Sequence, residues 1–168
     1  MPRIPSELPV PMAIVLHMPV GYTEMYARKL DEVTPLAVKE AAEGDELVPG
    51  SVLLAPAGRH LLFRRVGGRV VAHLDLRPLD TPHRPSVDVL FQSAAETFGA
   101  RTLAVVMTGM GSDGRQGAAW IKARGGQVLT EAEESCVVYG MPRSVVEAGL
   151  SDASVTLENM ASAIVERL

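Results

Sequence analysis

The sequence has one cysteine, no excess of positive charge and no long apolar run, and each absence excludes a class of protein. The lone cysteine, Cys136, makes neither an internal disulfide nor a Cys-based zinc site, so a reducing cytoplasm is the expected compartment. No apolar run reaches the ~18 residues that a membrane-spanning helix needs. Prolines crowd the apolar stretch near the N-terminus, and no small-residue cleavage site follows it. A secreted or membrane-spanning protein is therefore not expected.

Charge and composition are those of a globular protein rather than a nucleic-acid binder. Sixteen Lys and Arg residues stand against twenty Asp and Glu, and the net charge of −4 offers no electrostatic footprint for nucleic acid. Hydrophobic residues make up 47% of the chain and charged residues 21%, a balance that argues against disorder. The 168 residues are long enough for a sizeable core, and we expect residues 1–168 to form a single domain.

Short apolar segments alternate with segments of helical composition. Strands are predicted over residues 12–16, 52–55, 102–107 and 127–130, with a β-hairpin formed by residues 60–65 and 69–74. Helices are predicted over 22–30, 116–123 and 157–168, after Ser86 as an N-cap, and from about Pro142. This alternation indicates the α/β class, with a mostly parallel sheet flanked by helices.

Two segments with reactive side chains follow predicted buried strands. His17 comes after the strand at 12–16, where an imidazole either serves as a general base or bonds to nearby backbone. Asp113 lies in the glycine-rich turn 108–114, where it either orients an imidazole or caps the helix that follows. The glycines of this turn also fit a phosphate cradle. That alternative is weak, because the turn lacks the Lys-Ser/Thr of a P-loop and the three-glycine spacing of a dinucleotide fingerprint.

Other reactive side chains have a structural alternative beside each functional one. His83 and Arg84 precede a predicted helix and either face a substrate carboxylate or lie solvated beside a proline. Cys136 has apolar neighbours, which favour a small buried hydrophobe over a thiolate nucleophile. His60 and His73 fall in the hairpin and have no partner at the spacing of a metal site.

Five motifs occur in a specific order, although each alone is weak. They are His17-Met-Pro-x-Gly-Tyr-Thr, Ala55-Pro56, His83-Arg-Pro-Ser-Val-Asp-Val-Leu-Phe91, Thr108-Gly-Met-Gly-Ser-Asp-Gly114 and Ser135-Cys-Val-Val-Tyr-Gly-Met-Pro142. In this order they resemble the catalytic domain of the chemotaxis protein-glutamate methylesterases, the effector half of a response regulator. The resemblance covers nearly the whole chain, from about Met12 to Leu168.

The resemblance implies a doubly wound α/β domain that hydrolyses glutamate γ-methyl esters on the cytoplasmic helices of chemoreceptors. Many members of the family also deamidate receptor glutamines. Catalysis in the family uses a Ser-His-Asp triad without metal or cofactor. By motif match, His17 corresponds to the general base and Asp113 to the acid that orients it. Met110 resembles a residue that lines the site and lends its backbone N–H to the oxyanion.

These roles imply a geometry. Parallel strands end at one edge of a sheet, so we expect a ring nitrogen of His17 within about 3.2 Å of an Asp113 carboxylate oxygen. Arg84 and the turn around Met110 are expected to border the same crevice, with Arg84 binding the acidic receptor helix.

One part of the family pattern is missing. The family's serine lies in a Gly-x-Ser-Thr-Gly-Gly turn, which these residues do not contain, and its phosphorylated receiver domain is also missing. Ser6 lacks the glycine-rich elbow that exposes a nucleophile, and Ser112 belongs to the turn of the acid, Asp113. We expect the nucleophile upstream of Met1; the alternative is a non-catalytic receptor-binding module that has lost the chemistry. Loss of the family's first strand would leave unpaired edges, so marginal stability or a homodimer is expected.

Overall fold

In the computed structural model, which describes residues 3–168, short strands and helices alternate along the chain. The strands are β1 (Met12–Ile14), β2 (Ala37–Glu40), β3 (Ser51–Leu54), β4 (His60–Val66), β5 (Arg69–Asp75), β6 (Leu103–Val106), β7 (Gln127–Glu131) and β8 (Ala153–Val155). The helices are α1 (Thr23–Val33), α2 (Val87–Phe98), α3 (Arg115–Ala123), α4 (Met141–Glu147) and α5 (Leu157–Val165). The elements divide into two compact units, one reaching to Ser86 and including Leu168, the other spanning Val87–Arg167.

The central strand of the parallel sheet in the first unit is β3. It pairs with β1 on one side and β2 on the other, so that Val52 stands opposite both Met12 and Val38. The side chains of residues 52–54 are fully buried, as expected for a strand covered on both faces. The loop that carries His17 therefore begins at the carboxyl end of an edge strand of this sheet.

Strands β4 and β5 form the predicted antiparallel hairpin, also in the first unit. His60 stands opposite Asp75 at its base, and the chain turns at residues 67–68. Burial decreases along β4 from a fully buried His60 to an exposed Val66. The base of the hairpin thus holds a histidine in the interior, although the sequence analysis found no role for it.

The second unit repeats the parallel arrangement around β7, which pairs with β6 and β8. Leu129 in β7 stands opposite Val105 and Ala153. Helix α5 covers this strand with Met160 and Ala163, which are buried in one cluster with Leu129. Helix α2 packs against α3, and α3 follows the glycine-rich turn that leaves β6. That turn therefore extends from the carboxyl end of a strand to the start of a helix.

The α/β class, the hairpin and the predicted helices are confirmed, while β2 and β8 were missed. Only one of the four residues of β2 is buried, and β8 has three residues, so neither shows a readable apolar pattern. The strand predicted at 12–16 ends at Ile14, because its neighbour β3 ends at Leu54 and Pro56 follows. His17 consequently lies three residues beyond the strand.

Each unit has its own parallel sheet with a buried central strand. The single domain predicted for residues 1–168 stays a prediction. Among the described residues, no helix is both long enough and apolar enough to cross a membrane.

Asp152 joins three elements of the second unit. Its carboxylate accepts hydrogen bonds from the Val128 N–H at 2.7 Å and from the Lys122 ammonium. Its own N–H donates to the Val128 carbonyl at 2.8 Å. Burial acts to raise the pKa of Asp152, but the bonds from Lys122 and Val128 outweigh burial and hold that pKa below its ordinary value. The carboxylate therefore stabilises the fold above the pKa of the unfolded chain and loses this contribution as pH falls.

We expect Asp152→Ala to lower the free energy of unfolding by about 1–2 kcal/mol at pH 7, because the Val128 N–H loses a charged acceptor. The deficit should shrink as pH falls from about 4, where Asp152 of the unfolded chain becomes protonated, through the lower pKa of Asp152 in the folded wild type. Urea unfolding at pH 7 and pH 3 measures both values. The exposed Glu134→Ala serves as the control, with an expected change within about 0.5 kcal/mol. An equal deficit at both pH values would contradict the electrostatic origin.

Candidate active site

His17 lies on the loop that leaves β1, and its imidazole stacks on that of His83. The two ring centroids are 4.1 Å apart, and the ring planes make an angle of 18°. His17 is exposed, whereas His83 is half-buried. The stack limits the orientation of the His17 ring while the residue stays accessible to solvent. The sequence suggested that His83 either faces a substrate carboxylate or lies in solvent. Neither alternative included a contact with His17.

His83 belongs to a loop that the buried His60 ties down. The His60 Nδ1 accepts a hydrogen bond from the Ser86 N–H, and its Nε2 lies 3.2 Å from the Pro78 carbonyl oxygen. A carbonyl only accepts, so the proton lies on Nε2 and the imidazole is the neutral tautomer. The Thr81 hydroxyl adds a third contact at 3.2 Å. His60 thus fixes both ends of the loop on which His83 stands.

Arg84 is bound to its own loop. Its Nη2 donates to the Leu79 carbonyl at 3.2 Å and lies 3.5 Å from the Pro78 carbonyl, while the Arg84 carbonyl accepts from the Gly58 N–H at 3.0 Å. Its Nε is buried and meets no hydrogen-bond acceptor within residues 3–168. The guanidinium therefore braces the loop, whether or not it also contacts a substrate.

The carboxylate of Asp113 is buried and caps a helix. Its Oδ2 accepts from the Val87 N–H at 2.8 Å, and its Oδ1 accepts from the Asp88 N–H at 2.9 Å. One of the two alternatives for Asp113 was a cap on the helix that follows it. The structure instead places the cap on α2, which precedes Asp113 by about 25 residues in sequence. These bonds hold the carboxylate by main-chain groups that carry no net charge, and they stabilise its ionised form.

The turn that contains Met110 is held against the segment before α4. The Gly109 N–H donates to the Val138 carbonyl at 3.0 Å, and the Met141 N–H donates to the Gly109 carbonyl at 2.8 Å. The Thr108 N–H donates to the buried carboxylate of Glu131 at 2.9 Å. Met110 projects from this anchored turn with 81% of its surface exposed. The turn thus has a fixed backbone and an exposed tip, as its predicted site-lining role requires.

Three residues with clear roles in this geometry were not proposed as site residues in the sequence: His60, Asp88 and Glu131. His83 was considered for a substrate carboxylate and not as a partner of His17. His83 and Asp88 stand inside the motif His83–Phe91, which was the available signal for both. His60 and Glu131 bond to residues about 20 positions away, and no local pattern indicates such partners.

The remaining candidates are Cys136, Ser6 and Ser112. Burial raises the pKa of Cys136, and Glu131, Glu133 and Glu134 add to the effect, which disfavours a thiolate. Ser6 and Ser112 are both exposed. No group of three or more His, Cys, Asp or Glu side chains that would hold a metal ion occurs in the described part of the chain.

His17 and Asp113 belong to different units, the first with β1 and the second with β6. Their roles and the distance between them stay predictions, as do the roles of Met110 and Arg84. The predicted nucleophile upstream of Met1 lies outside the described residues.

His17 and Asp113 each lie on a loop that follows a parallel strand, the usual place of ligand-binding residues in α/β folds. The sequence model of the family described as CheB methylesterase matches residues 1–164. The chain belongs to the CheB methylesterase family.

Relatives and a solved structure agree with this assignment. The chain is 53% identical over 158 residues to a protein-glutamate methylesterase/protein-glutamine glutaminase of Myxococcus xanthus, covering 94% of this chain and 45% of that protein. It is 50% identical over 163 residues to the protein of the same name in Moorella thermoacetica, covering 96% of this chain and 38% of that protein. The crystal structure of the Thermotoga maritima CheB methylesterase catalytic domain matches with a TM-score of 0.96 and 40% identity, over 99% of this chain and 88% of that one. The chain thus spans less than half the length of these two relatives.

The anchored turn generates a prediction at Gly140. A Cβ there would lie 2.7 Å from the Gly109 carbonyl oxygen and 3.2 Å from the Met110 Cα, so backbone would have to move. We expect Gly140→Ala to lower the free energy of unfolding by about 1–3 kcal/mol. The exposed Ser112→Ala in the same turn is the control, with an expected change within about 0.5 kcal/mol. Thermal unfolding measures both, and equal midpoints would show that the two segments are not in close contact.

Proposed function

We propose that this chain is the catalytic domain of a chemotaxis protein-glutamate methylesterase, a carboxylic ester hydrolase. The proposed substrates are glutamate γ-methyl esters on the cytoplasmic helices of chemoreceptors. The double name of the relatives, methylesterase and glutaminase, supports an additional deamidation of receptor glutamines. The observation that carries the proposal is the family match over residues 1–164.

In the proposed mechanism a serine hydroxyl attacks the ester carbonyl carbon, and the His17 imidazole accepts the hydroxyl proton. A tetrahedral intermediate forms, and the backbone N–H of Met110 stabilises its oxyanion. Collapse of the intermediate breaks the bond to the methoxy group, which leaves as methanol with the proton from His17. The product of this half-reaction is a glutamyl ester on the serine.

In the second half-reaction water replaces the methoxy group. His17 accepts a proton from water, the resulting hydroxide attacks the acyl carbon, and the proton returns to the serine oxygen. Glutamate is released, and the enzyme is regenerated without a metal or cofactor. Asp113 selects the tautomer of His17 and stabilises the imidazolium that forms twice in each cycle.

The local structure supports these roles. His17 is exposed and oriented by its stack on His83, as a base that meets a large substrate needs to be. The Asp113 carboxylate receives two main-chain hydrogen bonds, which favour the ionised form that the role requires. The tip at Met110 stands on a turn with fixed backbone.

The nucleophile is proposed to come from a Gly-x-Ser-Thr-Gly-Gly turn that precedes Met1 in a longer protein. Within the chain, Ser6 and Ser112 are exposed, but Ser6 has no glycine-rich elbow around it and Ser112 belongs to the turn of the proposed acid, Asp113. The alternative is a receptor-binding module without esterase chemistry, which absence of that motif from the sequence upstream of Met1 would favour.

The proposed partners are the methylated helices of chemoreceptors, and the proposed compartment is the cytoplasm. A homodimer is also proposed, because β1 and β2 are edge strands of their sheet and edges favour association. Sedimentation of the purified chain measures its oligomeric state.

The test of function is methanol release from methylated receptor membranes. We expect little or no release by the 168-residue chain and clear release by a chain extended upstream through a Gly-x-Ser-Thr-Gly-Gly turn. His17→Ala in the extended chain should abolish the gain, because the base is lost. His73→Ala, a histidine substitution in the β4–β5 hairpin, is the matched control and should keep the activity.

Three outcomes would count against parts of the proposal. Full activity of the short chain that Ser6→Ala or Ser112→Ala abolishes would show that the nucleophile lies within it. Inactivity of the extended chain, with receptor binding retained, would favour the binding module. Activity that survives His17→Ala would remove His17 from the mechanism.

The proposed substrate contact at Arg84 is tested by receptor binding. We expect Arg84→Ala to weaken binding about two- to fivefold at low salt. Added salt should narrow the difference in affinity from the wild type, because salt screens the attraction between the half-buried Arg84 and an acidic receptor helix. The exposed Arg101→Ala is the control. Unchanged affinity with a lower unfolding temperature would show that Arg84 only braces its loop through Pro78 and Leu79.

A further inference from the structure

Asp88 and Asp113 bind each other's helix ends within the second unit. Asp88 is the second residue of α2, and its N–H donates to the Asp113 Oδ1 at 2.9 Å. The Asp88 carboxylate points to α3, where its Oδ1 accepts from the Gly114 N–H at 2.9 Å and the Gly117 N–H at 2.7 Å. The two aspartates are thus linked twice, once through the N–H of Asp88 and once through Gly114, which directly follows Asp113.

The N-termini of both helices need these acceptors. The first N–H groups of a helix have no intrahelical partner, and they carry a partial positive charge that attracts carboxylates. Asp113 serves α2, and Asp88 serves α3. The N-cap residue of α3 is Gly114, which has no side chain to do so. Without Asp88, the N–H groups of Gly114 and Gly117 would lose the acceptor that orients this turn.

A close approach of the helices makes the link rigid. A Cβ at Gly117 would lie 2.5 Å from the Phe91 Cβ and 3.0 Å from the Asp88 backbone, so no other residue fits. The backbone of α3 therefore lies directly against the first turns of α2. Asp113 consequently rests between two packed helix ends rather than on a freely moving loop.

The charge of Asp88 comes at a cost. Burial raises the pKa of Asp88, and the negative charge of Asp113 adds to the effect, while the N–H groups of Gly117 and Gly114 oppose it. A neutral Asn supplies the same carbonyl-type acceptor to Gly114 and Gly117 without the repulsion, and Asn caps helices as well as Asp does. The acceptor oxygen of Asp88, rather than its charge, is therefore what the geometry uses.

We propose that Asp88 is a positioning residue that sets the orientation of the Asp113 carboxylate by binding the N–H groups of Gly114 and Gly117. The proposal rests on the proposed function, because Asp113 is the orienting acid only there. Asp88 acts on Asp113 through the backbone and takes no part in proton transfer.

Amide hydrogen exchange of the 168-residue chain tests the structural part. The Val87 N–H reports on Asp113, since it donates to that carboxylate. We expect Asp88→Ala to speed Val87 exchange about 5- to 30-fold, the effect of losing a helix cap. Asp88→Asn should stay within about threefold of the wild type, because it keeps the acceptor. Asp152→Ala is the matched control: it removes an acceptor of a main-chain N–H in the same unit but does not contact Asp113.

Methanol release by the extended chain tests the positioning part. We expect Asp88→Ala to lower kcat about 10- to 100-fold with KM unchanged, as for a displaced group in a catalytic site. Asp88→Asn should restore kcat, and Asp152→Ala should leave it unchanged despite its loss of stability. If Asp88→Ala does not fold, Asp88→Glu replaces it, since the extra methylene moves the acceptor while keeping the charge.

The outcomes separate this proposal from the proposed function. Wild-type exchange at Val87 in Asp88→Ala or Asp88→Glu overturns the link, whatever the activity. Wild-type kcat in those variants, in an extended chain that His17→Ala inactivates, overturns the positioning role and leaves the proposed function standing. An extended wild-type chain without activity contradicts the proposed function, while the exchange measurement still decides whether Asp88 holds Asp113.

Discussion

The second unit depends on how the first N–H groups of α2 and α3, which have no acceptor within their own helix, find acceptors elsewhere. Asp113 accepts two of them from α2, and Asp88 accepts from Gly114 and Gly117 at the start of α3. Asp113 binds the N–H of Asp88 itself, and Asp88 binds the N–H of Gly114, the residue after Asp113. Neither helix cap therefore forms independently of the other. These two reciprocal caps determine the direction of the glycine-rich turn, the contact between the two helices and the position of the Asp113 carboxylate.

The same principle, a buried side-chain acceptor that binds a main-chain N–H, recurs at the other candidate loops. His60 accepts a hydrogen bond from the Ser86 N–H at the end of the loop that carries His83. Glu131 accepts one from the Thr108 N–H at the start of the turn that carries Met110. These bonds are buried or half-buried and are therefore little screened by salt. Exposed ion pairs such as Arg28 with Glu24 contribute little by comparison. We therefore expect the backbone of the site to be insensitive to ionic strength, and salt effects to arise from substrate binding.

The sequence carried most of the fold and only part of the site. Strands β3 and β6 are continuous apolar runs, and the hairpin has an apolar segment on each side of two glycines, so local pattern sufficed. Strand β2 has only one buried residue, so its sequence shows no strand pattern. The strand forms because it pairs with the edge of β3, a contact between distant residues that local sequence does not indicate. His17 and Asp113 were chosen through motif order, since composition and spacing left capping and catalysis equally open for Asp113. The structure shows the cap, and main-chain N–H groups that donate to a carboxylate favour the ionised form that the proposed catalytic role needs.

The two aspartates differ in what their charge is required to do. In the proposed mechanism an imidazolium forms at His17, and only an ionised carboxylate at Asp113 stabilises it and selects the tautomer that accepts the serine proton. Asp88 faces main-chain N–H groups, which a neutral amide oxygen satisfies equally well. Burial and the charge of Asp113 both raise the pKa of Asp88, so protonation as pH falls reaches Asp88 above its ordinary range. A protonated Asp88 keeps a carbonyl oxygen for Gly114 and Gly117 and ends the repulsion with Asp113. The acceptor role of Asp88 therefore survives the loss of its negative charge, whereas the proposed role of Asp113 requires an ionised carboxylate.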